Sequence, residues 1–317
     1  MSLSTQQPAA PPAPLKGRVE WEETRCLLCD GECWSLLLEA PDNLPGGSGL
    51  WFAVVQCQDC GLCFTNPRPS AASIGQFYPA GYRPYRARRR RVSLWRRLMA
   101  GPGRWVPRKL RTVAGPARGR LLDFGCGRGA FLEDMHRRGW QVTGIDASAV
   151  AVEYIRGELG LPALVGTLPH PELQAARFDV ITMWHSLEHV HAPLEVLREA
   201  YRLLVPGGRL VVAVPNIDSL AFRWFGPAWY GLDLPRHLTH FAPWTLQLML
   251  ERAGFRVGPI RMVRRSGWMR WSARLAGQNA PTPRWYRWLR TRPVSRLAAW
   301  YTCLSRQSDC MVATAER

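Results

Sequence analysis

The sequence predicts a mostly parallel α/β sheet preceded by a small cysteine-rich β module, and three observations predict it. From Arg120 onward, short apolar runs that read as strands alternate with segments of helical period. The first of these strands runs straight into a glycine-rich turn and then a helix. Ahead of them, residues 21–64 hold six of the nine cysteines among short apolar runs and Gly/Pro turns. With 317 residues, 47% of them apolar and 21% charged, a sizeable core is within reach. No stretch approaches the ~18 uninterrupted apolar residues of a membrane-spanning helix.

Taken in order, residues 1–20 are Pro/Ala/Gln-rich, lack an apolar segment and read as a disordered tail, not a secretory leader. Nine cysteines without such a leader predict a cytoplasmic chain whose thiols stay reduced, some of them on a metal. Residues 21–64 form the cysteine module. Residues 65–118 are an Arg/Pro/Gly-rich connector with one short amphipathic helix around Ser93–Met99. The remaining domain, 119–317, has strands at Arg120–Phe124, Gln141–Ile145, Phe178–Met183 and Arg209–Val214. Helices fall at Ala130–Arg138, Ala147–Leu159 and Pro193–Leu204, the last stopped by Pro206-Gly207-Gly208. Asp309–Thr314 reads as a closing strand. Residues 260–306 are Trp/Arg-rich and follow no clear period.

The formal charge of +18 is unevenly placed. Residues 60–122 hold 15 basic and no acidic side chains, and residues 252–308 hold 13 and none. The rest carries 14 basic against 24 acidic residues, so an acidic body bears two basic arms. The arms interleave arginine with tryptophan, as in Trp95-Arg96-Arg97, Trp268-Met269-Arg270-Trp271 and Trp285-Tyr286-Arg287-Trp288. That pattern suits peripheral contact with an anionic membrane surface. Phosphates of a nucleic acid are the competing partner.

Cys26-x-x-Cys29 and Cys57-x-x-Cys60 stand 27 residues apart with turn-forming sequence between them. Each Cys-x-x-Cys turn sets two thiolates on one side of a cation, and two such turns complete a tetrahedron around zinc. Four thiolates leave no open position, so the metal is structural. Cys33 and Cys63 keep an iron–sulfur alternative open. No cluster-dependent chemistry is otherwise signalled, and zinc is favoured.

The strand Leu121–Phe124 leads into Gly125-Cys126-Gly127-Arg128-Gly129, where backbone must turn tightly and approach a ligand. About 20 residues on, the next strand ends at Asp146, placed to accept from two ribose hydroxyls. With Asp123 before it, this spacing resembles motif I of the class I S-adenosylmethionine-dependent methyltransferases. The resemblance continues through Phe178-Asp179-Val180-Ile181, Leu187-Glu188-His189-Val190 and Leu203-Leu204-Val205-Pro206-Gly207-Gly208. The cysteine module, Asn66-Pro67-Arg68-Pro69, and Trp229–Asp233 running into Pro235-Arg236-His237-Leu238-Thr239-His240-Phe241 are similar to the zinc-ribbon-bearing branch of that superfamily. The resemblance implies a Rossmann-like methyltransferase fold with an antiparallel last strand. It implies S-adenosylmethionine held by Asp123, Gly125, Gly127, Asp146 and Trp184. It also implies sugar, cell-envelope glycan or other small-molecule acceptors. One departure is that the third strand is followed by Gly166-Thr167-Leu168, not by an acidic residue, which leaves adenine to backbone groups or Leu168.

Five of the seven histidines follow strand ends, at His185, His189, His191, His237 and His240. Methyl transfer to a hydroxyl calls for a base near neutral pH, and His237, His240 and His189 are the candidates. Glu188 and His189 form a Leu-Glu-His-Val like that of quinone methyltransferases, where the pair would support a metal. The alternative activity is ribosomal-RNA methylation, since some such enzymes also carry an N-terminal zinc module. Against it, Met183-Trp184-His185-Ser186 replaces the Asn/Asp-Pro-Pro-aromatic turn of exocyclic-amine methylation. A third reading is a non-catalytic binding module, opposed by the intact glycine turn and acids.

Overall fold

The computed structural model describes residues 17–43, 47–78, 112–113, 119–279, 283 and 285–317. The expected N-terminal tail up to residue 16, the helix around Ser93–Met99 and the Trp95 arm lie outside the described residues. The strands are β1 (Trp21–Glu22), β2 (Trp34–Pro41), β3 (Trp51–Cys57), β4 (Cys63–Thr65), β5 (Arg68–Pro69), β6 (Arg120–Phe124) and β7 (Gln141–Asp146). They continue with β8 (Ala163–Val165), β9 (Phe178–Trp184), β10 (Leu204–Pro215), β11 (Thr239–His240), β12 (Arg256–Val257), β13 (Arg261–Met262) and β14 (Cys310–Glu316). The helices are α1 (Ala130–His136), α2 (Ala149–Glu158), α3 (Pro193–Leu203), α4 (Leu220–Phe225), α5 (Pro243–Arg252), α6 (Ser266–Asn279), α7 (Tyr286–Leu289) and α8 (Arg292–Leu304).

The main sheet runs β12-β14-β10-β9-β6-β7-β8, with β13 also on β14. Strands β8, β7, β6, β9 and β10 are parallel, and β14 returns antiparallel from Arg209↔Glu316 to Pro215↔Cys310. The sheet is covered on both faces, so its strands are nearly continuous apolar runs whose alternate residues enter opposite cores. In β10, Leu210, Val212 and Val214 join one core while Val211 and Ala213 join the other. Helices α3 and α5 cover the first face through Leu197, Ala200, Leu246 and Met249. Helices α1 and α2 cover the second through Leu132, Met135, Val152 and Ile155. The chain steps outward from β6 to β7 and β8, then crosses to β9 on the other side. The carboxyl ends of β6 and β9 therefore border the crevice where open α/β sheets bind ligands.

The cysteine module folds as a four-stranded antiparallel sheet, β11-β4-β3-β2. Its last strand comes from much later in the sequence, with Thr239 opposite Phe64 and His240 opposite Cys63. Cys26, Leu28, Val55, Cys57, Leu62 and Phe64 belong to the same buried cluster as Leu122 and Ile145 of the main sheet. The change of pattern at residue 64 thus marks a boundary in the sequence but not in the packing. A third core joins Phe52, Val54 and Phe77 to Trp229, Leu232 and Leu234, and to Met269 and Ala273 of α6. The Trp/Arg-rich segment, unassigned by period, is mainly α6, α7 and α8.

Candidate active site

The turn after β6 places Gly125, Gly127 and Gly129 at φ of 69°, 52° and 73°, left-handed values that favour glycine. A Cβ on Gly125 would stand 2.4 Å from Cβ of Ser186, so the turn lies directly against the segment following β9. Ser186 Oγ donates to the Phe124 carbonyl at 2.9 Å and locks the two together. Asp146 ends β7 with 6% of its surface exposed. Its Oδ2 accepts from Gly127 N–H at 2.7 Å and its Oδ1 from Ser148 N–H at 2.9 Å. Burial pushes this carboxyl up from its ordinary value, and the two amides oppose that. Each oxygen keeps a lone pair for a further donor. Asp123 is buried and accepts from Thr182 Oγ1 at 2.6 Å, tying β6 to β9. Trp184 closes β9 edge-on to Phe131 at 5.5 Å, and Leu168 is buried in the core.

Beyond Ser186, a short turn of helix at Leu187–His189 carries a cluster of titratable groups. Glu188 is wholly buried, and burial pushes its carboxyl up to about 8, with the Asp233 charge adding to the rise. Arg265 Nη2 lies 3.1 Å from Nε2 of His185 and can only donate, so His185 Nδ1 carries the proton and donates to Glu188 Oε1 at 3.3 Å. Oε2 of Glu188 is buried with no hydrogen-bond partner. His237 Nδ1 donates to the Gly231 carbonyl at 2.8 Å, which leaves the Nε2 lone pair 4.0 Å from Glu188 Oε1 and 3.8 Å from Asp233 Oδ2. His189 Nδ1 likewise donates to the Arg236 carbonyl at 2.9 Å. The His189 and His237 rings meet edge to face with centroids 4.6 Å apart. Burial holds His237 down at about 4 and His189 at about 3, so both are neutral bases.

His240 is a neighbour of His237, 6.5 Å between centroids, but its ring is engaged elsewhere. Thr65 Oγ1 donates to the His237 carbonyl at 2.8 Å and therefore accepts from His240 Nε2 at 3.1 Å. His240 thus fastens β11 to the cysteine module. His191 is 3.0 Å from the Pro69 carbonyl, a contact that also points to bracing.

A family model described as "Methyltransferase domain" matches residues 88–258, just over half of the chain. The chain belongs to the methyltransferase domain family. Its similar relatives include the ubiquinone biosynthesis O-methyltransferase of Xanthomonas axonopodis pv. citri, 34% identical over 154 residues, which span 45% of this chain and 64% of the relative. The mitochondrial ubiquinone biosynthesis O-methyltransferase of Schizosaccharomyces pombe is 38% identical over 109 residues, 32% of this chain and 40% of the relative. Among solved structures, an S-adenosylmethionine-dependent methyltransferase of Mesorhizobium loti is 19% identical and superposes with a TM-score of 0.48, covering 66% of this chain and 96% of that one.

S-adenosylmethionine fits the crevice of this methyltransferase domain. The donor set is a turn with three glycines at positive φ, a buried carboxylate at the next strand end and a tryptophan at the end of β9. Zinc fits the cysteine module equally well. Cys26, Cys29, Cys57 and Cys60 bring their thiols within 4.8 Å of one another, with Sγ–Sγ distances of 3.3 and 3.5 Å across the two turns. Cys33 is exposed and Cys63 is buried apart from the group, so neither completes an iron–sulfur set among the described residues. Gly61 in the second turn has φ of 66°, and a Cβ there would lie 2.1 Å from Trp244 of α5. The zinc turn is therefore seated on the methyltransferase helix layer. Purified protein is expected to carry about one zinc per chain by elemental analysis. An iron-containing, brown preparation, or one without zinc, would overturn the assignment.

Sequence reasoning missed Asp233, Arg265 and Arg236 as site residues. Arg236 is fully buried and uses all five N–H groups, on Asp42, Asp233, Phe77 O and Leu234 O. Asp233 is three positions away, but Asp42 is 194 positions away, and that pairing carries no local signal. Tyr230 packs on Trp268 and Trp271 of α6, and Trp268 lies 5.2 Å from the His185 ring.

Proposed function

We propose that this chain transfers the methyl group of S-adenosylmethionine to an oxygen of a small-molecule or lipid-linked glycan acceptor. Bound S-adenosylmethionine supplies an electrophilic methyl; the chain's residues hold it, position the acceptor and take the proton. One observation carries the reading: the Gly125 turn touches Ser186, two residues from Glu188, so cofactor loop and acid–base cluster share one crevice. Asp146 and the backbone of Gly125 and Gly127 hold the cofactor, with Asp123 fixing the strands beneath them and Trp184 beside them. Glu188 and His237 receive the acceptor proton. A carboxyl at about 8 is roughly one-tenth ionised at pH 7 and holds a proton firmly once it takes one up, and His237 offers a fixed lone pair beside it. An oxygen acceptor is supported by the relatives, which are named as O-methyltransferases.

A second reading of the same cluster is a divalent cation on Glu188, His189 and His237, whose donor atoms lie within 4.8 Å of one another. The buried, unpartnered Glu188 Oε2 favours it, as do the carbonyls that fix the Nδ1 protons of both histidines. Turnover that EDTA abolishes and manganese or magnesium restores, with zinc content unchanged, would establish the cation; turnover indifferent to EDTA would leave the Glu188–His237 base.

The cofactor assignment is tested by calorimetry. Asp146→Ala is expected to weaken S-adenosylmethionine binding by about 1.5–3 kcal/mol, the range for a hydrogen bond to a charged group. Unchanged affinity would place the cofactor elsewhere.

A further inference from the structure

Helix α8 presents its apolar stripe outward. Ser295, Ala299 and Thr302 pack inward, whereas Leu297, Trp300, Tyr301 and Leu304 are 68%, 53%, 59% and 63% exposed. These four stand at i, i+3, i+4 and i+7 and so form one continuous stripe. Singly exposed apolar side chains need no explanation, but a stripe of four large ones does. Trp288 of α7, immediately before, is 66% exposed and extends it. Exposed Arg287, Arg292, Arg296 and Arg306 flank the stripe, within a stretch of 13 arginines and no acidic residue between 252 and 308.

We propose that this α7–α8 face docks on an anionic phospholipid surface. Charge and chemistry select that occupant. A second copy meeting the same face across a two-fold axis would set arginines against arginines. A nucleic acid would match the arginines and could stack on tryptophan, but Leu297 and Leu304, half of the stripe, give a base nothing to stack on. Lipid matches both parts: aliphatic and indole groups enter the acyl boundary while arginines reach headgroup phosphates. No helix among the described residues is long and apolar enough to cross a membrane, so the contact is a surface one. Of its tryptophans, Trp288 belongs to the sequence expectation and Trp300 does not. Trp268 is turned inward onto His185 and Tyr230, and the docking face is made by Trp288, Leu297, Trp300, Tyr301 and Leu304. The same substructure borders the acceptor side, because Arg270 of α6 donates to Ser295 of α8 at 3.0 Å and Trp268 of α6 reaches His185.

The test uses the full chain and sedimentation with vesicles of phosphatidylcholine containing one-third phosphatidylglycerol. Wild type is expected to pellet with these vesicles, and much less with pure phosphatidylcholine. Trp300→Ser combined with Leu304→Ser should lower partitioning by roughly tenfold or more, with the circular dichroism spectrum unchanged because both side chains are exposed. Arg292→Gln with Arg296→Gln should weaken binding most at low salt. The proposal is overturned if wild type stays in the supernatant or the Trp300/Leu304 variant pellets like wild type. It is equally overturned if that substitution turns a dimer into a monomer on light scattering, or if RNA competes the protein off the vesicles. The readout involves no turnover, so it succeeds or fails independently of the methyl-transfer reading.

Discussion

Glu188→Gln is expected to lower turnover by roughly 100-fold or more while S-adenosylmethionine affinity stays within about twofold. The substitution keeps the size of a wholly buried side chain and its contact with His185, but removes the group that takes up a proton. His237→Ala is expected to give a comparable loss, because the Nε2 lone pair 4.0 Å from Glu188 Oε1 disappears. The two losses should not add, since both residues serve one proton transfer. His240→Gln is the contrasting case. Its ring nitrogen is engaged with Thr65, so the melting temperature should fall more than turnover does. Steady-state rates with calorimetry on the same preparations make the comparison. Near-normal turnover in Glu188→Gln, or a larger loss in His240→Gln than in His237→Ala, would remove the acid–base assignment.

Arg236→Met is expected to destabilise the fold by about 3–5 kcal/mol, the cost of leaving buried charges without their partner. Arg236 makes a two-pronged ion pair with Asp42 at 2.6 and 3.2 Å and a second with Asp233 at 2.9 Å, in a site closed to water. Burial alone would pull the arginine down, but these two acids raise its pKa above the ordinary value. Burial likewise pulls the Asp233 carboxyl up, and Arg236, with His237 and His189, overcomes it and holds the carboxyl below its usual range. Lysine cannot replace this geometry, because a single ammonium lacks the planar fork. Arg236→Lys is therefore also expected to be destabilising. Denaturant titration checks both, and the double substitution with Asp42→Leu should recover part of the loss. A loss below about 1 kcal/mol for Arg236→Met would show the pair to be dispensable. Asp42 lies just past β2 of the zinc module and Asp233 lies in the loop before β11, beside His237 and Glu188. Stability lost here should accordingly be accompanied by lost turnover.

Much of this was written locally in the chain. The Cys-x-x-Cys turns, the glycine turn and Asp146 were legible because each depends on neighbours within a few residues: a turn that aims two thiols, or a strand end followed by backbone that needs positive φ. Strands β6, β7 and β9 and helices α1 to α3 were legible through period and stop signals. The closing strand was legible too, displaced by one or two residues. What the sequence by itself determined is therefore the sheet, the glycine turn and the four-cysteine cluster, features set by local geometry and hydrophobic period. The tertiary structure alone decided the rest. It made Thr239–His240 the last strand of the zinc module, buried Arg236 between acids from two regions, gave His240 to Thr65 and left Glu188 facing His237. It also turned the apolar stripe of α8 outward, where Trp/Arg composition could not say which face was buried. Such contacts join segments up to 194 residues apart. No local preference encodes them; they arise only when the packed core fixes which surfaces remain to meet.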